Sequence, residues 1–224
     1  YMMFTSSKVA EQNKLWTGMA KETAHQIGTP LSSLLGWIAI LKMENVNDKY
    51  VNEIEKDVHR LNTIANRFSK IGSLPKLKKS DIISATKNAY EYLEFRSSKQ
   101  ISFKFISNEK ELFCNLNEEL YEWVIENLIK NAIDAMLGKG KLTISITSEN
   151  NKVILNISDT GKGMSKSQFR KIFDPGFTTK KRGWGLGLSL SQRIIEDYHT
   201  GKIIVKSSEV NRGTTFQIIL DKVT

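Results

Sequence analysis

The chain has 224 residues, is 40% hydrophobic and carries a formal charge of +9, which fits one or two globular domains able to bury a sizeable core. Its longest apolar stretch, LLGWIAIL from Leu34 to Leu41, is far short of the ~20 residues that cross a bilayer, and a single cysteine, Cys114, excludes an internal disulfide. The basic residues are scattered without a block of five or more, so they read as a solvated surface that assists an anionic ligand; no direct contact with nucleic acid or membrane is expected.

From Gln12 to Met43, Ala20, Ala24, Ile27, Leu31, Leu34, Ile38 and Leu41 recur at spacings of four and three, the seam of a helical bundle. MENVNDKY interrupts this pattern, and Val51, Ile54, Val58, Leu61, Ala65 and Phe68 then resume it. Two helices joined by a short turn are predicted. One hairpin covers only part of such a seam, so two copies are expected to form a homodimeric four-helix bundle. IGSLPKLKKS, Ile71 to Ser80, lacks periodicity and reads as a linker, dividing the chain into 1–73 and 74–224.

Beyond it, helices are predicted over Ile82–Phe95 and Asn117–Met136, with strands over Ile101–Ile106 and Glu111–Cys114, where Cys114 is expected to be a small core residue. KLTISITSE and NKVILNISD form a hairpin-like pair around Asn150-Asn151. A Gly-rich stretch, a helix from about Leu186 to His199, and strands GKIIVKSS and GTTFQIIL follow. The fold class is α plus α/β: a helical hairpin, then an α/β sandwich with helices on one sheet face.

Four stretches of the second domain carry chemistry. ENLIKNAIDAM places Asn127 and Asn131 at i and i+4, so both amides and Lys130 share one end of a helix surface, beside Leu128, Ile129, Ala132 and Ile133 facing the core. DTGKGM ends a strand on Asp159, a carboxylate able to accept from the exocyclic amine of adenine. Gly161 and Gly163 let backbone approach the base without a Cβ; read alone, the stretch is a turn. GWGLGLSL sets Gly183, Gly185 and Gly187 before a helix, where backbone N–H groups suit phosphate. Between them, Lys166 to Gly183 is basic, punctuated by Phe173 and Phe177, and has the length of a lid or of a surface loop whose aromatics plug the core.

In this order and spacing the four stretches resemble the N, G1, F and G2 boxes of the histidine-kinase catalytic domain, a member of the GHKL ATPase superfamily, and the amino-terminal hairpin looks like that family's dimerisation and histidine-phosphotransfer domain. The resemblance implies ATP and Mg2+ as cofactors. Asn131 would coordinate Mg2+, and Asn127 and Lys130 would approach the phosphates. Asp159 would recognise adenine beside Gly161, Gly163 and Thr214. Thr178, Thr179 and Lys180 of the lid, hinged at Phe173 and Phe177, together with Gly183, Gly185, Leu186, Gly187 and Leu188, would complete the nucleotide site. Hydrolytic members carry a glutamate where Asn127 stands, so simple ATP hydrolysis is disfavoured; a nucleotide-sensing scaffold remains the other alternative.

With Ala24 and Ile27 on the seam, His25 in AHQIGTP falls one step off it and is expected to be accessible, as a phosphoacceptor must be. The resemblance makes His25 the residue phosphorylated by ATP, with onward transfer to an aspartate on the receiver domain of a response regulator. Common sensor kinases have an acid directly after this histidine; here it is Gln26, which can orient the ring but cannot take its proton, leaving Glu22 as a substitute. Thr29 matches the position that places water for dephosphorylating the regulator, and Pro30 should bend the helix. His59 and His199 read as structural, the latter favoured in its charged form at a helix end. The opening residue, Tyr1, reads as a fragment start: the cytoplasmic part of a larger sensor, membrane-anchored or not.

Overall fold

The computed structural model describes residues 27, 31–44, 48–71, 75–180 and 185–223, and the chain divides into two compact units between Pro75 and Lys76. His25, Gln26, Thr29, Pro30 and Gly183 lie outside the described residues. No described helix is long and apolar enough to cross a membrane.

The first unit is a helical hairpin of α1, residues 31–43, and α2, Asp48–Ile71. Leu31 and Ile38 of α1 are buried with Val51, Val58 and Ala65 of α2, a spacing of seven that gives the hairpin interior one residue per two turns. Ile27 and Leu41 are half-buried against this interior, but Leu34 is 42% exposed, Ile54 45% and Leu61 46%. A single hairpin therefore leaves part of the apolar seam uncovered. Lys42 and Glu55 pair across the two helices at 2.7 Å.

The second unit stacks helices on one face of a five-stranded sheet made of β2 (Ile101–Ser107), β4 (Gly140–Glu149), β5 (Lys152–Asp159), β7 (Gly213–Asp221) and β6 (Lys202–Glu209), in that spatial order. β2 runs parallel to β4 and the remaining pairs are antiparallel. Leu142, Ile144, Ile146, Val153, Leu155 and Ile157 point into the core. The intervening Ser158 and Thr215 hydroxyls bond each other at 2.9 Å, and Gln217 donates to Asn156 at 2.8 Å. This apolar-in, polar-out alternation leaves a two-layer sandwich. Asn150 and Asn151, at φ 49 and 61, make the tight turn between β4 and β5, a conformation asparagine tolerates.

One strand departs from the sequence reading. Residues Lys78–Ser80, read as linker, join Asp81 to form β1 (Lys78–Asp81), which pairs antiparallel with β3, Phe113–Leu116. Lys78 and Lys79 are exposed and only Ser80 is buried, so β1 has no hydrophobic alternation to announce it; its partner, with Cys114 and Leu116 in the core, supplies the apolar surface.

Helix α3, Ile82–Arg96, starts on Asp81, whose carboxylate accepts the N–H groups of Ile83, Ser84 and Leu112 and the Ser84 hydroxyl. Partial burial pushes this carboxyl up, but those bonds prevail and hold it below the usual carboxylate range. Helix α4, Glu118–Ala135, buries Leu120, Tyr121, Val124, Ile125, Leu128, Ile129 and Ala132. At ~1.5–3 kcal/mol for each large apolar side chain buried, this stripe fixes the helix rotation and turns Asn127 and Asn131 to its open side. The short helix α5, Gln168–Lys171, precedes α6, Gly187–Arg193, which continues as a π-turn through Ile194–Tyr198.

His199 closes that turn and is only 4% exposed. Its Nδ1 lies 2.8 Å from the Ile194 carbonyl, while Nε2 accepts the backbone N–H of Asn117, the cap of α4, at 3.0 Å. A carbonyl on one nitrogen and an N–H on the other select the neutral Nδ1–H tautomer, and burial lowers the pKa further. The expected charged histidine is thus a neutral clamp between two helices.

Candidate active site

The open edge of α4 organises the site. At one end Gly161 presses on Ala135, where an added Cβ would lie 2.6 Å from the Ala135 carbonyl carbon, and Lys162 donates its N–H to the Ala135 carbonyl at 3.0 Å. At the other end a Cβ on Gly187 would lie 2.6 Å from Asn127 Oδ1. Asn127 to Ala135 is ~12 Å of helical rise, enough to run from a base to its phosphates.

At the Ala135 end, Asp159 closes β5 opposite Thr214 of β7. It is 7% exposed, and its Oδ1 accepts the Gly161 N–H at 2.8 Å. Burial raises its pKa, while the N–H groups of Gly161 and Thr214 pull it back down. A partly desolvated acceptor of this kind suits a donor such as an exocyclic amine.

Two glycines here admit backbone at close range. Gly163, at φ 59, would place a Cβ 1.9 Å from the Glu209 carbonyl oxygen, and Gly213, at φ 112, 1.9 Å from that of Asp159. The close approach they permit is to the protein's own backbone, which locks the loop after β5 onto the β6–β7 turn.

Ser208, absent from the sequence reading, completes that lock. Its hydroxyl accepts the Met164 N–H at 2.9 Å and lies 2.9 Å from both the Gly213 carbonyl and the Thr214 hydroxyl. A single serine at a strand end gives no periodic signal, and only its place opposite Thr214, six residues on, could have marked it.

At the Asn127 end, Asn127 donates to the Ser191 hydroxyl at 2.9 Å, and Ser191 donates in turn to the Gly187 carbonyl at 2.9 Å. These bonds tie α4 to α6, whose first turn begins at Leu186 without a side-chain cap and leaves its N–H groups to other partners. Gly185, at φ 67, lies against Gly176, which donates its N–H to the Gly185 carbonyl at 3.0 Å. Leu188 packs on the core.

The intervening segment is anchored at its aromatics. Phe173 is buried and stands edge-on to Phe216 at 6.4 Å, and Phe177 packs against the same core. Past them, Thr178 accepts the Lys180 N–H at 3.1 Å and Thr179 accepts from Lys162 Nζ at 3.1 Å.

Lys130 pairs with Glu126 at 2.9 Å. Lys180 Nζ instead reaches Asn131 Oδ1 at 2.8 Å and Asp134 Oδ2 at 2.6 Å. An ammonium on the Asn131 oxygen is a stand-in cation: that amide already presents a hard oxygen to positive charge, which is the ligand Mg2+ demands.

Residues 16–74 match the His Kinase A (phospho-acceptor) domain, and residues 117–224 match the Histidine kinase-, DNA gyrase B-, and HSP90-like ATPase family. The chain is 31% identical to sporulation kinase D of Bacillus subtilis (strain 168) over 96% of its own length and 44% of that protein's, so it spans less than half of this curated relative. Among solved structures, the catalytic domain of histidine kinase ThkA aligns at a TM-score of 0.61 with 32% identity, covering 66% of this chain and 97% of that one. ThkA in complex with the response regulator protein TrrA aligns at 0.63 with 27% identity, covering 100% of this chain and 66% of that one. With an ATPase sandwich of this architecture following a phospho-acceptor hairpin, the chain belongs to the histidine kinases.

Proposed function

We propose that the chain is the core of an ATP-dependent protein-histidine kinase that phosphorylates His25 and passes the phosphoryl group to an aspartate on the receiver domain of a response regulator. The observation that carries this reading is the open edge of α4, with a buried acceptor, Asp159, at one end and the uncapped start of α6 at the other. Asp159 accepts from the adenine amine, with Gly161, Gly163 and Thr214 shaping its surroundings. Asn127, Lys130, Thr178, Thr179, Lys180 and the segment Gly183–Leu188 serve the phosphates. Asn131 supplies the amide oxygen for Mg2+, which when bound offsets phosphate charge.

Transfer is an in-line displacement. A neutral imidazole nitrogen of His25 forms the N–P bond as the bond from the γ-phosphorus to the bridging oxygen breaks, and ADP leaves with that electron pair. Gln26 orients the ring without accepting its proton, so the proton passes to Glu22 or to solvent. In a second displacement the aspartate carboxylate of the receiver domain takes the phosphoryl group from nitrogen. Asn127 cannot activate water as a carboxylate would, which favours transfer over hydrolysis. The solved complex of ThkA with its regulator supports the choice of partner.

The partly covered seam, open at Leu34, Ile54 and Leu61, supports a homodimer in which a second hairpin buries these positions. We place this core in the cytoplasm, within a larger sensor. Thr29, one turn beyond His25, is the candidate for positioning water when the same protein dephosphorylates its regulator.

Incubation with γ-labelled ATP and Mg2+ tests the reading. The expected result is acid-labile, base-stable label on the wild type and none on His25→Ala. Label that persists on the variant would remove His25 as acceptor, and ATP turnover without phosphoprotein would point to a hydrolase.

A further inference from the structure

Asp134 has no part in the roles assigned above, yet it has a specific partner. It stands three residues after Asn131, on the same stretch of the open edge of α4, and its Oδ2 takes the Lys180 ammonium at 2.6 Å while Asn131 Oδ1 takes it at 2.8 Å. Without Asp134 the ammonium would have only one neutral amide oxygen to hold it, and an extended lysine is not ordered by one such contact at an accessible site. The carboxylate therefore decides where Lys180 rests.

That resting place is the amide proposed for magnesium. A cation already on Asn131 Oδ1 opposes a second one there, both by repulsion and by competing for the oxygen lone pairs. We infer that Asp134 is a positioning residue that parks Lys180 on the amide proposed for the metal, so that Mg·nucleotide loads by exchanging one cation for another. Once displaced, Lys180 is available to the phosphates. The inference rests on the nucleotide reading of this site. It also explains why a lysine from the loop after Phe177 reaches back to α4 rather than pairing locally.

The test is a double-mutant cycle on the full chain, read by Mg·ADP affinity in titration calorimetry. Asp134→Asn keeps the shape and removes the charge, so it is expected to tighten Mg·ADP binding about two- to fivefold, the scale of an accessible ion pair. In a Lys180→Met background the same substitution is expected to give no gain, because there is no ammonium to release. An unchanged or weaker affinity of Asp134→Asn overturns the exchange. So does an equal gain in the Lys180→Met background, which would mean plain repulsion between Asp134 and phosphate.

A nucleotide-free readout separates this failure from failure of the site reading. The Asn131 side-chain NH2 signals in a nitrogen–proton correlation spectrum are expected to shift alike in Asp134→Asn and Lys180→Met before any ADP is added. Shifts without Mg·ADP binding by the wild type would sink the nucleotide site while leaving the Lys180 contact in place. Binding without shifts would sink the contact.

Discussion

The two ends of the α4 edge are built from different materials. At the Asp159 end, backbone meets backbone: Gly161 against Ala135, Gly163 against Glu209 and Gly213 against Asp159, with Ser208 bonding Met164, Gly213 and Thr214. From Asn127 along the edge to Asp134, side chains do most of the holding, through Asn127 on Ser191, Lys130 on Glu126, and Lys180 on Asn131 and Asp134, beside one backbone contact of Gly185 with Gly176. Backbone packing is unforgiving, because no rotamer can relieve a clash with a carbonyl. Side-chain contacts exchange partners cheaply, as a site that admits a charged ligand and a metal must.

The largest effect should come from a methyl group at the rigid end. Gly163→Ala forces a Cβ to 1.9 Å from a carbonyl oxygen at positive φ, and should cost at least ~3 kcal/mol of stability, measured by thermal or denaturant unfolding. Gly187→Ala meets the movable Asn127 side chain instead and should keep the fold. Equal melting behaviour of the two would erase the contrast between the ends.

Asp159→Asn separates binding from folding. Burial raises the Asp159 pKa, so the folded state favours the neutral carboxyl and ionisation costs stability as pH rises. Removing the charge should leave the melting temperature unchanged or higher, while ADP affinity falls by about 10–100-fold with loss of a charge-assisted hydrogen bond. A matching fall in stability would make Asp159 a structural residue.

His199 predicts the acid limit of the second unit. Its pKa is lowered from 6.5 by burial, so below that value the unfolded chain binds a proton that the folded one resists. Stability is complete above about pH 6.5 and declines beneath it, at up to ~1.4 kcal/mol per pH unit. Asp81, also lowered, adds acid sensitivity only in the carboxylate range. His199→Gln, which can still accept the Asn117 N–H, should flatten the slope between pH 5 and 6.5 in denaturant unfolding; an unchanged slope would assign it to other groups.

The mildest change, Ser208→Ala, removes a hydroxyl bonded to the Met164 N–H and should cost ~1 kcal/mol of stability and about three- to tenfold in ADP affinity. Ser208→Thr keeps the hydroxyl and should recover most of the affinity. If alanine binds ADP as the wild type does, the loop after β5 is held by its glycines alone.

Sequence legibility follows the same division. Strands β4, β5, β6 and β7 and helix α4 were readable because each buries one face at its own period, as Leu142, Ile144 and Ile146 or Val124, Leu128 and Ile129 do. Strand β1 was not, because Lys78 and Lys79 bury nothing and its place is set by a partner more than thirty residues away. DTGKGM reads as space for a ligand at Gly161 and Gly163, but the close approach at Gly163, as at Gly213, is made by backbone distant in sequence. The pairing of Lys180 with Asp134 was invisible for the same reason: forty-six residues separate them, and only folding makes them neighbours.

The central claim, that this nucleotide site serves His25, is tested most directly by mapping the phosphoryl group by mass spectrometry under alkaline conditions after incubation with Mg·ATP. The account predicts the modification on His25 in the wild type and its loss in Asp159→Asn. Phosphate on His59 or on a hydroxyl residue, or release of inorganic phosphate from an unmodified protein, would contradict it.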